Sequence, residues 1–218
     1  MLLSEKKNNK NRTWLKYVAG SILLLIVAYN SVYFKKLDEV KAAAGKKFDA
    51  TAFAKTFLAN QLTPKLNSAP TINTLIELFL KDKDKTFNTY SHATAIGNVR
   101  YFLVKGEGTI TAINENDVTV QTGKESIIIA TEFIYGNALR DASGLFDITA
   151  FTNTADINNV SSELNKIIRN DVATPFKTKA KVGDKIQFSG AIELNKERLN
   201  LKNIEVIPAL LTKDSLRL

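Results

Sequence analysis

Arg140 and Asp141 come closest, by residue type and spacing, to a chemical site in this chain. They adjoin within Gly136-Asn137-Ala138-Leu139-Arg140-Asp141-Ala142-Ser143-Gly144, a stretch of small and polar residues. Neighbouring side chains on a strand face opposite ways, whereas in a turn both can converge. Two readings of the pair stand. In the structural one, Arg140 binds backbone carbonyls or a carboxylate and Asp141 caps a turn. In the functional one, Arg140, Asp141 and Asn153 hydrogen-bond a polar ligand such as a sugar, with Asn137 and Thr152 beside them as further candidates. Carboxylates paired at the spacing glycoside chemistry needs are absent from the pattern. No catalytic residue, metal ligand or cofactor is assigned.

His92 is the one histidine, so any Ser–His–Asp arrangement must use it. No Gly-x-Ser-x-Gly elbow accompanies it, and its polar setting, Asn88 to His92, reads as a surface or turn. With no cysteine, thiolate catalysis, disulfides and zinc–thiolate sites are excluded. The alternating charges of Lys81 to Lys85 read as a solvated helix end, since the glycine and distal Glu of an EF-hand loop are missing. Gly106-Glu107-Gly108 lacks the third glycine and following helix of a phosphate cradle, so a bulge or strongly curved strand is expected.

The element that places all of these is the run from Tyr17 to Phe34, 18 residues without a charge. As a helix it spans about 27 Å, close to the ~30 Å of a hydrocarbon core. Trp14 and Tyr17 at one end, and Tyr29, Tyr33 and Phe34 at the other, suit the headgroup layers. It shows no polar stripe, unlike a soluble core helix, and is longer than the ~7–15-residue core of a cleaved signal. A single-pass anchor is therefore expected. Five Lys or Arg against Glu5 in residues 1–16 make +4, half the net charge of +8. Such an arm suits anionic lipid at the cytoplasmic face. Lys and Arg counts tie across the anchor, but a short basic arm stays inside while a long domain is translocated regardless of charge. The chain is thus expected to cross the membrane once, with its N-terminus inside and its C-terminal domain outside, which in a bacterial cell is the inner membrane and the periplasm.

The expected organisation is a basic cytoplasmic arm over 1–16, the anchor over 17–34 and a linker over 35–47. A helical segment follows over 48–85, a β domain over 99–207 and a loose tail over 208–218. Asp49 reads as the N-cap of a helix that Pro64 ends. A second helix runs from Thr71 to Lys81. From Arg100 the apolar period changes from 3.6 to 2, giving strands broken by turns at 114–117 and 123–124. A helix from about Asn159 to Val172, capped by Asn159 or Ser161, closes at Pro175. Two strands follow, Lys185 to Glu193 and Leu199 to Val206. The fold class is α+β: an N-terminal transmembrane helix, two helices, and an OB-like five-stranded Greek-key barrel with an inserted helix. An open α+β sheet fits nearly as well.

Several segments resemble a bacterial family of predicted periplasmic lipoproteins, domain of unknown function family 2291. They are Phe48-Asp49-Ala50 with the helix to Pro64, Lys105 to Gly108, Gly136 to Ala142, Phe151-Thr152-Asn153, Ser162 to Asn165, and Val182-Gly183-Asp184 through Ala191. The resemblance covers roughly residues 45–195. It implies an envelope-facing, OB-like domain associated with sugar-uptake ABC transport systems, with the transporter or its binding protein as partner. It supplies no activity, and the lipid-acceptor cysteine of such lipoproteins is absent here. The expected function is a non-catalytic binding or interaction module with the inner membrane as partner and no nucleic acid. The alternatives are a membrane-tethered enzyme acting on an envelope glycan or, with the domain facing the cytoplasm, an OB-type nucleic-acid binder.

Overall fold

The computed structural model describes residues 10–31 and 48–213. The chain divides into two compact units, residues 1–47 and 48–218. In the first, α1 (Lys10–Ser31) is a 22-residue helix. Trp14, Tyr17 and the apolar residues Ile22 to Val27 lie on its exposed surface. Among the described residues, no helix is long and apolar enough to cross a membrane. The arm before Lys10, the end of the apolar run at 32–34 and the linker over 35–47 lie outside the described residues.

The second unit opens with Asp49, whose carboxylate accepts from the Ala52 N–H at 2.9 Å and caps α2 (Ala50–Phe57). Pro64 does not end this helix. A π-helical turn, Leu58–Leu62, leads into α3 (Thr63–Asn67), which holds Pro64 in its first turn. The Thr63 N–H reaches back five residues to the Leu58 carbonyl, and this widened turn lets the chain pass a residue that has no N–H to give. Thr71 caps α4 (Ile72–Lys81). The alternating charges beyond it are a joint rather than a helix end: Asp82 closes α4 and caps α5 (Lys83–Tyr90). The helical segment therefore runs to Tyr90.

Six strands follow where five were expected: β1 (Ser91–His92), β2 (Val99–Ile113), β3 (Asp117–Thr122), β4 (Glu125–Ala130), β5 (Lys185–Asn195) and β6 (Ile204–Lys213). β2 pairs antiparallel with β5 from Val99 to Thr109, then with β3 from Thr109 to Ile113. β4 lies parallel to β6, and β6 antiparallel to β5, so β2-β3-β4-β6-β5 closes on itself while β1 adds to β2 outside the ring. This is a five-stranded closed barrel of OB type, and closure leaves it no long open edge. The last strand is Ile204–Lys213 rather than 199–206, so residues 208–213 are strand rather than tail, and 214–218 lie outside the described residues. β6 continues through Pro208, which faces Gly190 at a register shift, where a ladder tolerates a missing N–H.

Between β4 and β5 lie α6 (Ala138–Ala142), a 3₁₀ turn (Ile148–Ala150), and a long helix formed by α7 (Thr154–Ile167), a π turn (Ile168–Ala173) and α8 (Thr174–Lys177). This helix starts at the Asn153 cap rather than near Asn159. Pro175 fails to close it as Pro64 fails, because the Thr174 N–H reaches five residues back to Arg169.

Two cores form. The barrel interior joins the apolar face of α4, where Phe79, Phe87 and Phe102 meet edge to face with centroids 5.1–5.4 Å apart. The other core packs Phe57, Leu62, Leu139, Phe146, Val160 and Leu164 between the helices and the barrel wall. The bulge in β2 lies between Ile110 and Ala112 rather than at the glycines. Gly106 instead lets the Phe188 ring lie against the backbone, where a Cβ would come within 2.5 Å of it. At Gly190 a Cβ would meet the Ile207 carbonyl, which is backbone and cannot turn aside. Gly106→Ala is expected to lower stability by about 1–3 kcal/mol, with part of the loss recovered by adding Phe188→Leu. Gly190→Ala should cost at least as much and resist rescue by trimming any side chain. Chemical denaturation midpoints of the three variants check this.

Candidate functional site

The short helix α6 is held by the Asn137 carbonyl, which accepts from the Asp141 N–H at 2.8 Å. All five of its residues are buried, Arg140 and Asp141 at 4% and 3% exposure. The Arg140 side chain folds back on its neighbour and pairs with both carboxylate oxygens, Nε to Oδ1 at 2.6 Å and Nη2 to Oδ2 at 3.1 Å. Nη1 donates to Ser161 Oγ on α7 at 2.9 Å. Thr94, beyond β1, accepts from Nη2 at 3.2 Å and donates to Asp141 Oδ2 at 2.8 Å. The Phe146 ring lies under the guanidinium, 4.9 Å from its centroid. The pair thus ties α6, α7, the segment after β1 and an aromatic of the helical core. Both charges are matched and desolvated, which is the geometry of a structural pin.

The five candidate residues do not converge. Asn153 caps α7: Oδ1 accepts from the Asp156 N–H and Nδ2 donates to the Asp156 carboxylate, each at 2.8 Å. Thr152 beside it is exposed. Asn137 is half-buried and opens to a groove of about 430 Å³ between residues 134–137 and α7. Thr94 carries no signal in the sequence, and Ser161, one of the two caps expected for this helix, instead sits inside it and receives Arg140. The Asn153-x-x-Asp156 spacing, a polar cap with an acidic residue three on, was the signal that the helix begins earlier.

The groove beside Asn137 is also lined by Tyr135, Asn158, Ser162, Lys166 and Arg169. Asn165 Nδ2 fixes its rim by donating to the Gly136 carbonyl at 2.9 Å, and Arg169 does so through the Glu132 and Ile134 carbonyls. Among the described residues, the side chains of Asn137, Asn158 and Ser162 have no hydrogen-bond partner. Tyr135 stands in the groove wall at 71% exposure. An exposed aromatic next to Arg and Lys, with two unused amides and a hydroxyl, makes a surface suited to recognition.

His92 is not free on the surface. Its ring packs on Gly144, where a Cβ would lie 2.4 Å from Nδ1. Burial, then Lys65 and Arg100, holds its pKa below the ordinary 6.5. Burial, with Glu193 and Asp141 nearby, pushes the Tyr101 phenol up, so it stays neutral and is no ready base.

The chain belongs to the family described as predicted periplasmic lipoprotein (DUF2291), which matches residues 22–212. The crystal structure of an OB-fold protein from Thermotoga maritima superposes with a TM-score of 0.70 at 22% identity, covering 78% of this chain and 100% of that one. At that identity the likeness shows the fold alone. No curated protein matches significantly.

Arg140→Ala would strand Asp141 without its partner and is expected to lower stability by about 3–5 kcal/mol. Ser161→Ala leaves one guanidinium N–H unmatched and should cost less, about 1.5–3 kcal/mol. Equilibrium unfolding of both measures the difference. The unfolded state takes up the His92 proton more readily than the folded one. The chain should therefore lose stability as pH falls through 6.5 toward the lower folded value, and keep it above. A melting-temperature profile from pH 8 to pH 5 should flatten in this window in His92→Gln.

Proposed function

We propose that this chain is a membrane-anchored, extracytoplasmic, non-catalytic binding or interaction module of the bacterial envelope, accessory to a sugar ABC transport system. The observation that carries this reading is the groove beside Asn137. It has a fixed rim, two unused amides and a hydroxyl, and the exposed Tyr135 in one lining with Lys166 and Arg169. The groups that chemistry would need are otherwise engaged: Arg140 and Asp141 are locked on each other, and His92 is packed on Gly144. The family description supports the periplasmic side. With no cysteine in the sequence to carry a lipid, attachment rests on the apolar run Tyr17–Phe34, which extends past the described end of α1. The partner is a transporter subunit or its binding protein, met at the Tyr135 face.

Photo-crosslinking tests this in intact cells. A crosslinking residue in place of Tyr135, in the full chain, should yield an adduct with a membrane-transport component. The chain should stay in the membrane fraction through an alkaline wash. Lys166→Glu should reduce the adduct by about tenfold. A chain that leaves the membrane on washing, or gives no adduct from this face, would overturn the reading.

A further inference from the structure

A second groove lies over the middle of β2, on residues the partner face does not use. Cross-strand partners share a face, so the register places Lys105 with Ser189, Glu107 with Gln187, and Thr109 with both Lys185 and Gln121 on the outer side of the barrel. Their neighbours Ile186 and Phe188 point inward and are buried at 1% and 2% exposure. Residues 71–73, where α4 begins, wall this polar floor on one side. The two ends of the trench measure about 410 and 560 Å³ and share Asn73 and Glu107.

The floor is open because β2 changes partners here. Its pairing with β3 begins only at Thr109, and on the other side Lys105 bridges to Thr71. The Lys105 N–H donates to the Pro70 carbonyl. By the alternation of an antiparallel ladder, the Glu107 N–H and C=O therefore also turn away from β5, toward the gap.

The chemistry of this surface selects a ligand class. The Lys105 ammonium is engaged by the Asn67 carbonyl at 2.7 Å. This leaves Lys185 and Glu107 as one charge of each sign, which does not favour an anion. No large apolar side chain is exposed on the floor, which does not favour a lipid or an apolar peptide. Asn73 receives Thr122 on Oδ1 and keeps its N–H₂. Gln121 donates to the Gly123 carbonyl and keeps its own oxygen. The side chains of Glu107, Gln187 and Lys185 make no hydrogen bond among the described residues. Donors and acceptors thus alternate at strand spacing, with a carboxylate and an amide side by side. That pattern matches vicinal hydroxyls, each of which donates and accepts.

We propose that the trench over Glu107 and Gln187 is a binding site for a neutral polyhydroxylated ligand, an oligosaccharide of a few units. Glu107 accepts from two hydroxyls, Gln187 and Asn73 donate, and Lys185 closes one end. The site shares no residue with the Tyr135 face, so either proposal can fail while the other stands.

Saturation-transfer NMR on the full chain in lipid nanodiscs, with empty nanodiscs as blank, tests it with maltotriose, xylotriose and triacetylchitotriose as probes. At least one should show transfer to its ring protons. Its affinity should fall about tenfold in Glu107→Ala and in Gln187→Ala. Both side chains are exposed, so the melting temperature should hold. No transfer with any of the three, transfer unchanged in both variants, or equal transfer to tetraglycine would overturn the proposal.

Discussion

A guanidinium and a carboxylate, adjacent in sequence and shut away from water, set the arrangement of the helical half of this domain. Taking two such groups out of water costs several kcal/mol each, and their attraction repays it only if the remaining polar atoms are also matched. Here they are. Thr94 bridges to the carboxylate, Ser161 takes a guanidinium N–H, and Phe146 lies beneath. Each of these comes from a different part of the chain. Satisfying the pair therefore fixes α7, the segment after β1 and the Phe146 turn against α6 together. The Phe48, Phe53, Phe57, Phe146 and Phe151 rings then pack around the join.

The barrel supplies the other constraint. Closing five strands brings backbone onto backbone at Gly190 and ring onto backbone at Gly106. It also forces β2 to leave β5 for β3 part way along. That hand-over creates the polar trench over Glu107. The insertion of α6 and α7 between β4 and β5 creates the groove at Tyr135. Both proposed surfaces thus follow from how the barrel is closed and covered, and the Tyr135 groove shares Ser161 with the buried pair.

The sequence revealed what is local. Asp49 and Thr71 cap helices as their types suggest, the apolar period changes at β2, and the turns at 114–117 and 123–124 stand. It misled where a local rule met a tertiary remedy. Pro64 and Pro175 read as helix ends, but each follows a π turn that removes the clash. Pro208 read as the start of a tail, but a register shift accommodates it inside β6. The site was the least legible part. Arg140 and Asp141 look alike on paper whether they hold a ligand or each other. Only the burial and the partners Thr94 and Ser161, 46 and 21 residues from Arg140, decide. No spacing rule links residues that far apart.

The most direct test is a double-mutant cycle on the buried pair, using apolar residues of similar bulk, Arg140→Met and Asp141→Leu, read by equilibrium unfolding. Each single variant leaves one charge buried without its mate, and the double variant leaves none. The account predicts that the double variant is more stable than either single one, with a coupling of at least ~2 kcal/mol. Losses that simply add, with the double variant the least stable of the three, would contradict it.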